Sequence, residues 1–110
     1  MREFLRFGSR EMVEKLSSQA IEEALGKLPG WAAEGEAAIA KTFRLADHVE
    51  ALGLVVRVAT VAEVLNHHPE VAWVYNRVTF RLSTHDAGGV TERDLELARR
   101  IEALAGTSRT

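Results

Sequence analysis

The order of apolar and polar positions predicts a helix and then a hairpin in the first half of the chain. Apolar residues three and four apart follow Ser17 and Ser18, either of which can cap a helix, and Pro29 ends the pattern. Between residues 31 and 45 the apolar positions begin to alternate with polar ones, and Gly35 lies in a short polar stretch. This segment predicts two short strands.

The segment from Val49 to Leu65 is strongly apolar. Asp47 is suited to cap it, and a length of about 18 residues is roughly three times that of a usual strand, which favours a helix. Apolar residues cover nearly its whole circumference, yet one sheet in so small a domain buries only one stripe of a helix. The sequence therefore predicts a homodimer or homotetramer with the helix 49–65 in the interface. Coverage by one of the other helices is the alternative.

The second half of the chain repeats the hairpin and ends in a helix. Alternating apolar residues predict strands over 71–75 and 77–83, and two adjacent glycines at 88–89 form a turn. Thr91 and Asp94 have the spacing of a capping box that opens the last helix. The order αββαββα predicts an α+β fold with a four-stranded antiparallel sheet and three helices on one face.

Composition excludes several classes of function. The chain has 110 residues, which fits one domain, and 14 basic against 16 acidic side chains provide no field for nucleic acid or anionic lipid. The absence of cysteine removes disulfides and thiolate chemistry and favours a reducing, cytoplasmic location. Residues 1–15 contain neither a signal peptide nor a membrane span, and we predict a poorly ordered arm there before a domain at 16–110.

Two of the four histidines, His67 and His68, follow the predicted helix 49–65 directly. Glu63 lies four residues before His67, so Glu63 is expected to contact His67 or the backbone at the helix end, and His85 follows a strand that could bring it to the same place. Three imidazoles in one pocket could deliver and remove protons near neutral pH. A polar helix end without a function is the alternative, and a zinc site is less favoured since no HExxH pattern is present.

Other residues offer weaker signals. Ser83 and Thr84 lack a nucleophile elbow, and the turn after His85 lacks the lysine of a phosphate-binding loop. Asp94 is expected to cap a helix and His48 to lie on the surface. Trp31 and Trp73 are expected in the core, although a flat heterocyclic ligand would favour an aromatic wall.

The spacing of these residues resembles that of pterin-4a-carbinolamine dehydratases. The similarity rests on Glu63, the His67-His68-Pro69 triplet, Tyr75, His85 and Asp94, and on the stretches LPGW, VYNRV and STHDAGGVTERD. It runs from about residue 17 to residue 104. The resemblance implies a four-stranded antiparallel sheet with three helices on one face, in agreement with the order of elements above.

The resemblance also implies an activity, the dehydration of 4a-hydroxytetrahydropterin to quinonoid dihydropterin and water, which recycles a tetrahydrobiopterin-type cofactor. It implies neither a cofactor nor a metal, and it suggests an aromatic amino acid hydroxylase as a pathway neighbour. His67, His68 and His85 would carry the chemistry, supported by Glu63 and Asp94. The pterin would contact Trp31, the turn Asn66 to His68, and the turn formed by Ser83, Thr84, His85 and Asp86. The alternatives are a dimerisation module of a transcription factor and a related dehydration in molybdopterin metabolism.

Overall fold

A computed structural model describes residues 13–108 of the chain. The predicted N-terminal arm, residues 1–15, therefore lies outside the described residues except for its last three. Of these, Lys15 contacts the body of the protein, since its Nζ atom lies 2.6 Å from Oε1 of Glu36.

The elements follow the predicted order. They are α1 (Ser18–Leu25), β1 (Ala32–Glu34), β2 (Ala38–Arg44), α2 (His48–Leu65), β3 (Glu70–Val74), β4 (Arg77–Leu82), a short 3-10 turn (His85–Ala87) and α3 (Glu92–Ser108). The α+β class and the order αββαββα are thus confirmed. The first two predicted helix starts are also correct: Ser17 Oγ accepts the N–H of Ala20 at 3.1 Å, and Asp47 Oδ1 accepts the N–H of Glu50 at 2.8 Å.

The four strands form one antiparallel sheet in the order β1-β2-β4-β3. The long central pairing joins β2 to β4, with Ile39 opposite Leu82 at one end and Arg44 opposite Arg77 at the other. Side chains on one face of these two strands are buried and contact the helices; they are Ile39, Phe43, Val78, Phe80 and Leu82. Three helices therefore cover one face of the sheet, as predicted.

The opposite face of the sheet is polar and is tied together by Arg81. This residue lies on β4 and donates to Glu34 of β1 at 2.9 Å and to Glu70 of β3 at 3.1 Å. The hydrogen bond to Glu34 raises the pKa of the Arg81 guanidinium. One side chain thus links both edge strands across the sheet.

Candidate functional site

His67 and Asp94 form a buried pair between the end of α2 and the first turn of α3. Nε2 of His67 lies 2.6 Å from Oδ1 of Asp94. His67 is 8% exposed and Asp94 is fully buried. A buried carboxylate is stable only when donors surround it, so its other contacts decide what the pair can do.

Both carboxylate oxygens of Asp94 are engaged. Oδ2 accepts the Thr84 hydroxyl at 2.7 Å and the Thr91 N–H at 2.9 Å, while Oδ1 faces His67. A carboxylate only accepts hydrogen bonds, so Nε2 of His67 carries the hydrogen of this contact. This assignment of the hydrogen to Nε2 follows from the hydrogen-bond network. It leaves Nδ1 as the ring atom that can gain or lose a proton.

The fold fixes this network through the capping box predicted at the start of α3. Asp94 accepts the backbone N–H of Thr91, as the acidic member of such a box does. Thr84 uses its one hydroxyl hydrogen on Asp94, so the Thr91 hydroxyl donates to Thr84 at 2.7 Å. The residues Thr84 and Thr91 thereby hold the carboxylate in a single orientation toward His67.

A sharp turn aims His67 inward. α2 ends at Leu65, and Asn66 has the left-handed φ of 55°, a conformation that asparagine tolerates better than most residues. The N–H groups of Asn66 and His67 bond back to the carbonyls of Glu63 and Ala62 at 3.2 and 3.0 Å, which is a Schellman motif. Because the helix stops here, His67 does not continue along the helical face of Glu63.

The prediction that Glu63 contacts His67 is therefore wrong. Glu63 Oε1 instead lies 2.9 Å from Nε2 of His68. Side chains four residues apart lie next to each other only within a continuous helix. Because the chain turns at Asn66, His68 lies next to Glu63 and His67 does not. His68 and Glu63 are both largely exposed, so water weakens this pair.

His85 begins the 3-10 turn that follows β4 and is exposed. It comes directly after Thr84, whose hydroxyl belongs to the Asp94 network, so its backbone is anchored next to the His67 pair. Its carbonyl accepts the N–H of Gly88 at 3.0 Å, which closes the turn. Asp86, the next residue of the turn, is also exposed.

Ser83 and Thr84 belong to the turn that is expected to hold a ligand, partly through backbone groups, and both side chains are bonded within the protein. Thr84 is buried, and its hydroxyl, N–H and carbonyl are all bonded within the protein. The Thr84 hydroxyl hydrogen is therefore already used within the protein, and binding of substrate by Thr84 stays a prediction. Ser83 donates its hydroxyl hydrogen to the carbonyl of Ala37 at 2.7 Å, which leaves only acceptor capacity on that oxygen.

Trp31 lies in the core and away from this network. Its indole N–H donates to Glu102 Oε2 at 2.8 Å, and its ring meets the edge of Phe43 at a centroid distance of 6.2 Å. Glu102 is eight residues beyond Asp94 on α3, which is about 12 Å along a helix. Trp31 is therefore in the core, as expected, and its contact with the ligand stays a prediction.

Sequence analysis missed two members of the network, Thr91 and Arg93. The capping-box spacing identified Thr91 as a helix start, but nothing in the sequence linked it to a histidine. Arg93 donates to the carbonyl of Asn66 at 2.9 Å, which ties the turn after α2 to α3.

Within residues 13–108, no group of three or more His, Asp or Glu side chains is placed to hold a metal ion. No helix in that range is both long and apolar enough to span a membrane.

Known sequences include relatives that match most of this chain. A relative from Rhodopseudomonas palustris (strain BisB18) is 53% identical over 95 residues, which cover 86% of this chain and 94% of the relative. Another from Burkholderia multivorans (strain ATCC 17616 / 249) is 52% identical over 99 residues, with 89% and 97% covered. Both carry the provisionally assigned name of pterin-4-alpha-carbinolamine dehydratase.

Solved structures show the same fold. A protein from Brucella melitensis, described as a transcriptional coactivator/pterin dehydratase, superposes with a TM-score of 0.81 at 41% identity over 84% of this chain and all of that one. A pterin dehydratase-like RuBisCO assembly factor of the alpha-carboxysome gives 0.61 at 23% identity over 70% and 90% of the two chains, which shows a shared fold alone. A family model described as Pterin 4 alpha carbinolamine dehydratase matches residues 14–104. The chain therefore belongs to the pterin-4a-carbinolamine dehydratase family.

Proposed function

We propose that this protein dehydrates 4a-hydroxytetrahydropterins, the carbinolamines that aromatic amino acid hydroxylases release. A proton is delivered to the 4a-hydroxyl, the C–O bond breaks and water leaves. A proton is removed from the adjacent ring nitrogen, and its electron pair forms the new double bond of the quinonoid dihydropterin. One proton enters and one leaves, so the balance requires no further reactant.

The buried His67–Asp94 pair is the observation that supports this activity most directly. Asp94 holds the imidazole by Nε2 and leaves Nδ1 for proton transfer, and a negative carboxylate stabilises the ring when it becomes charged. General acid-base help of this type contributes about 10²- to 10⁴-fold in rate. His67 is therefore proposed as the main acid or base.

The other two histidines take the complementary roles in this proposal. His85 is exposed beside the network and serves as the second proton-transfer group. His68 is held by Glu63 at 2.9 Å and positions the substrate or supplies a proton. The exposed side chains of Asn66 and Asp86, with backbone groups of Ser83, are proposed to hold the polar edge of the pterin.

Turnover of the 4a-carbinolamine by purified protein, followed by absorbance, tests the proposal. The double variant His67→Ala plus His85→Ala is expected to lose at least 10²-fold in kcat, because it removes both proton-transfer groups. Arg100→Gln is a matched control, since Arg100 is exposed on α3 and, within residues 13–108, pairs with the nearby Glu96 at 3.0 Å. Normal turnover by the double variant would end the assignment.

We also propose self-association through the outward face of α2, as the sequence predicts. The inward face of this helix is buried, whereas Val49, Leu52, Val56 and Val64 are exposed large apolar side chains on the other face. Burying such a stripe against a second copy removes apolar surface from water. Covering of this stripe by α1 or α3 is not seen, because these four residues are exposed in the complete described fold.

Size-exclusion chromatography with light scattering tests the assembly. The wild-type protein is expected to be a dimer or tetramer at micromolar concentration, and Val56→Glu is expected to shift it to a monomer. Gln19→Glu adds the same charge to an exposed position on α1 and should leave the assembly intact. A monomeric wild type contradicts the interface, and a wild type without turnover that captures a different protein at α2 favours the interaction-module alternative.

A further inference from the structure

Thr91, the residue that precedes α3, forms one more hydrogen bond than a helix cap requires. It is fully buried. Its Oγ1 accepts the N–H of Arg93 at 3.1 Å and its own N–H donates to Asp94 at 2.9 Å, which together cap the helix. The third contact leaves the helix, because Oγ1 of Thr91 also lies 2.7 Å from Oγ1 of Thr84. Capping of α3 does not require this contact, so the Thr91 hydroxyl has a second role.

The hydrogens of this network point in one direction. Thr84 donates its hydroxyl hydrogen to Asp94, so the hydrogen between the two threonines belongs to Thr91. A continuous chain of donors therefore runs from the backbone of Arg93 through both hydroxyl groups to the carboxylate that holds His67. Hydrogen bonds aligned in this way strengthen one another inside a protein. Removal of the Thr91 hydroxyl is therefore expected to weaken the contacts on either side of it.

The first turn of α3 holds the turn after α2 at two points. The guanidinium of Arg93 donates to the carbonyl of Asn66 at 2.9 Å, and the carboxylate of Asp94 contacts His67 at 2.6 Å. Thr91 bonds to the backbone N–H of Arg93 and to the carboxylate of Asp94. It therefore fixes the helix start from which both contacts to the His67 turn extend.

On its other side, the Thr91 hydroxyl is joined to the turn that carries His85. The N–H and the carbonyl of Thr84 are both bonded to the glycine pair that closes this turn, at 2.9 and 3.0 Å. These bonds fix the backbone of Thr84 within the turn, and His85 follows it directly. The 2.7 Å contact between the two threonines thus links the turn of His85 to the helix start that holds His67.

We propose that Thr91 is a positioning residue for the dehydration, which sets the distance between His67 and His85 through its hydroxyl group. None of its hydrogen bonds within residues 13–108 goes to either ring, so it acts through Thr84 and Asp94. Proton transfer requires both imidazoles within hydrogen-bond reach of the substrate, and a misplacement of about 1 Å costs about 10²-fold in rate. The proposal rests on the proposed dehydratase function and adds a buried residue to it.

Two substitutions at position 91 test the role of the hydroxyl group. Thr91→Val keeps the shape of the side chain but removes the hydroxyl, and it should lower kcat about 10-fold. KM should change less than about twofold, since the substitution does not touch the groups proposed to bind the pterin. Thr91→Ser keeps the hydroxyl and should restore kcat to within about twofold of wild type. Normal kcat in Thr91→Val overturns the proposal.

A matched control separates this role from the loss of a helix cap. In Ser17→Ala the lost hydroxyl is the one that accepts the N–H of Ala20 at 3.1 Å at the start of α1. This variant should also lower the urea midpoint but leave kcat unchanged. An equal loss of kcat in both variants would show a general effect of stability and overturn the proposal. If circular dichroism shows that Thr91→Val does not fold, Thr91→Cys, whose thiol is a weak donor, should show the same selective loss of kcat.

A double-mutant cycle tests whether Thr91 acts through Thr84. Thr84→Val breaks the same hydroxyl contact from the other side. The double variant should therefore lose about as much kcat as the more affected single variant, because the effects of coupled residues are not additive. Losses that multiply would show that the two residues act independently, which overturns the proposed connection.

Imidazole ¹⁵N NMR provides a readout that does not depend on turnover. In the wild type and in Thr91→Ser, the His67 ring should carry its hydrogen on Nε2, as the contact with Asp94 requires. Thr91→Val should give a mixture of the two tautomers, or faster exchange of the Nε2 hydrogen with water, because the carboxylate is held less firmly. Identical His67 signals in wild type and Thr91→Val contradict the positioning role. An inactive wild type with the expected signals overturns the proposed function instead, so the two failures are distinguishable.

Discussion

Two histidine–carboxylate pairs are formed by the histidines that follow the end of α2, and their surroundings differ. In the pair His67–Asp94 the side chains are 9% and 0% exposed, and in the pair His68–Glu63 they are 55% and 81% exposed. The buried carboxylate accepts three hydrogen bonds, whereas the exposed one has water available as a competing partner. The N···O distances in the two pairs are similar, at 2.6 and 2.9 Å. The pairs nevertheless contribute differently to the free energy of unfolding, because the dielectric constant around them differs.

The strongest way to break this comparison is Asp94→Asn. An amide cannot accept from three donors as the carboxylate does, and it no longer balances a charged His67. We expect kcat/KM for the carbinolamine to fall about 10²- to 10⁴-fold and the free energy of unfolding to fall by about 3–5 kcal/mol. Steady-state kinetics and urea unfolding measure the two effects. A rate within threefold of wild type would remove Asp94 from the mechanism.

Thr84→Val tests the network around the buried pair. It removes the hydroxyl that donates to Asp94 and accepts from Thr91. The unfolding free energy should fall by about 1–3 kcal/mol, since buried partners are left unsatisfied. Thr79→Val is the matched control, because its 2.7 Å hydroxyl contact with Thr42 is near the surface and should cost at most about 0.5 kcal/mol. Equal losses in the two variants would contradict the importance of burial.

Glu63→Gln tests the exposed pair. We expect the unfolding free energy to change by less than about 0.5 kcal/mol, since exposed ion pairs contribute little and salt screens them. Any change in kcat should be smaller than that of Asp94→Asn, and added salt should reduce it further. Urea unfolding and kinetics at two ionic strengths measure both. A loss comparable to that of Asp94→Asn would show that the two pairs are equivalent.

The smallest effect concerns a third carboxylate, the partly exposed Glu36. Hydrogen bonds from Lys15 and Ser18 lower the pKa of Glu36 below its usual 4.5. A lowered pKa in the folded state contributes stability above the ordinary pKa, and this is lost as pH falls through the folded value. NMR titration should show Glu36 protonating at lower pH than other exposed glutamates, and Lys15→Met should raise its midpoint. An unchanged midpoint would remove Lys15 as the cause.

Local signals predicted the fold well. Ser17, Asp47 and the Thr91–Asp94 spacing identified helix starts because capping is a contact among residues close in sequence. Alternation of apolar side chains identified the strands for the same reason. The resemblance identified His67, His68 and His85, and it also pointed to Asp94.

The sequence was less informative where a contact depends on residues that are far apart in the chain. The partner of Glu63 depends on where α2 ends, which the turn at Asn66 determines within one residue. The resemblance assigned Thr84 and Trp31 to the ligand, but nothing local showed that Asp94 and Glu102 engage their polar groups across the fold. Likewise, no local signal places the His48 ring of α2 on the Trp73 ring of β3, because the two residues are distant in the sequence.

The strand order has a kinetic consequence. The centre of the sheet joins β2 to β4, with Ile39 opposite Leu82, so this pairing must close a loop that contains the whole of α2. Closing such a loop costs chain entropy before any contact compensates for it, whereas helices and the β3–β4 hairpin form locally. The His67–Asp94 hydrogen bond, which joins the end of α2 to α3, is therefore expected to form late in folding, after β4 has paired with β2. A nascent chain that has not yet emerged as far as β4 has no central sheet pairing and no ordered His67 ring.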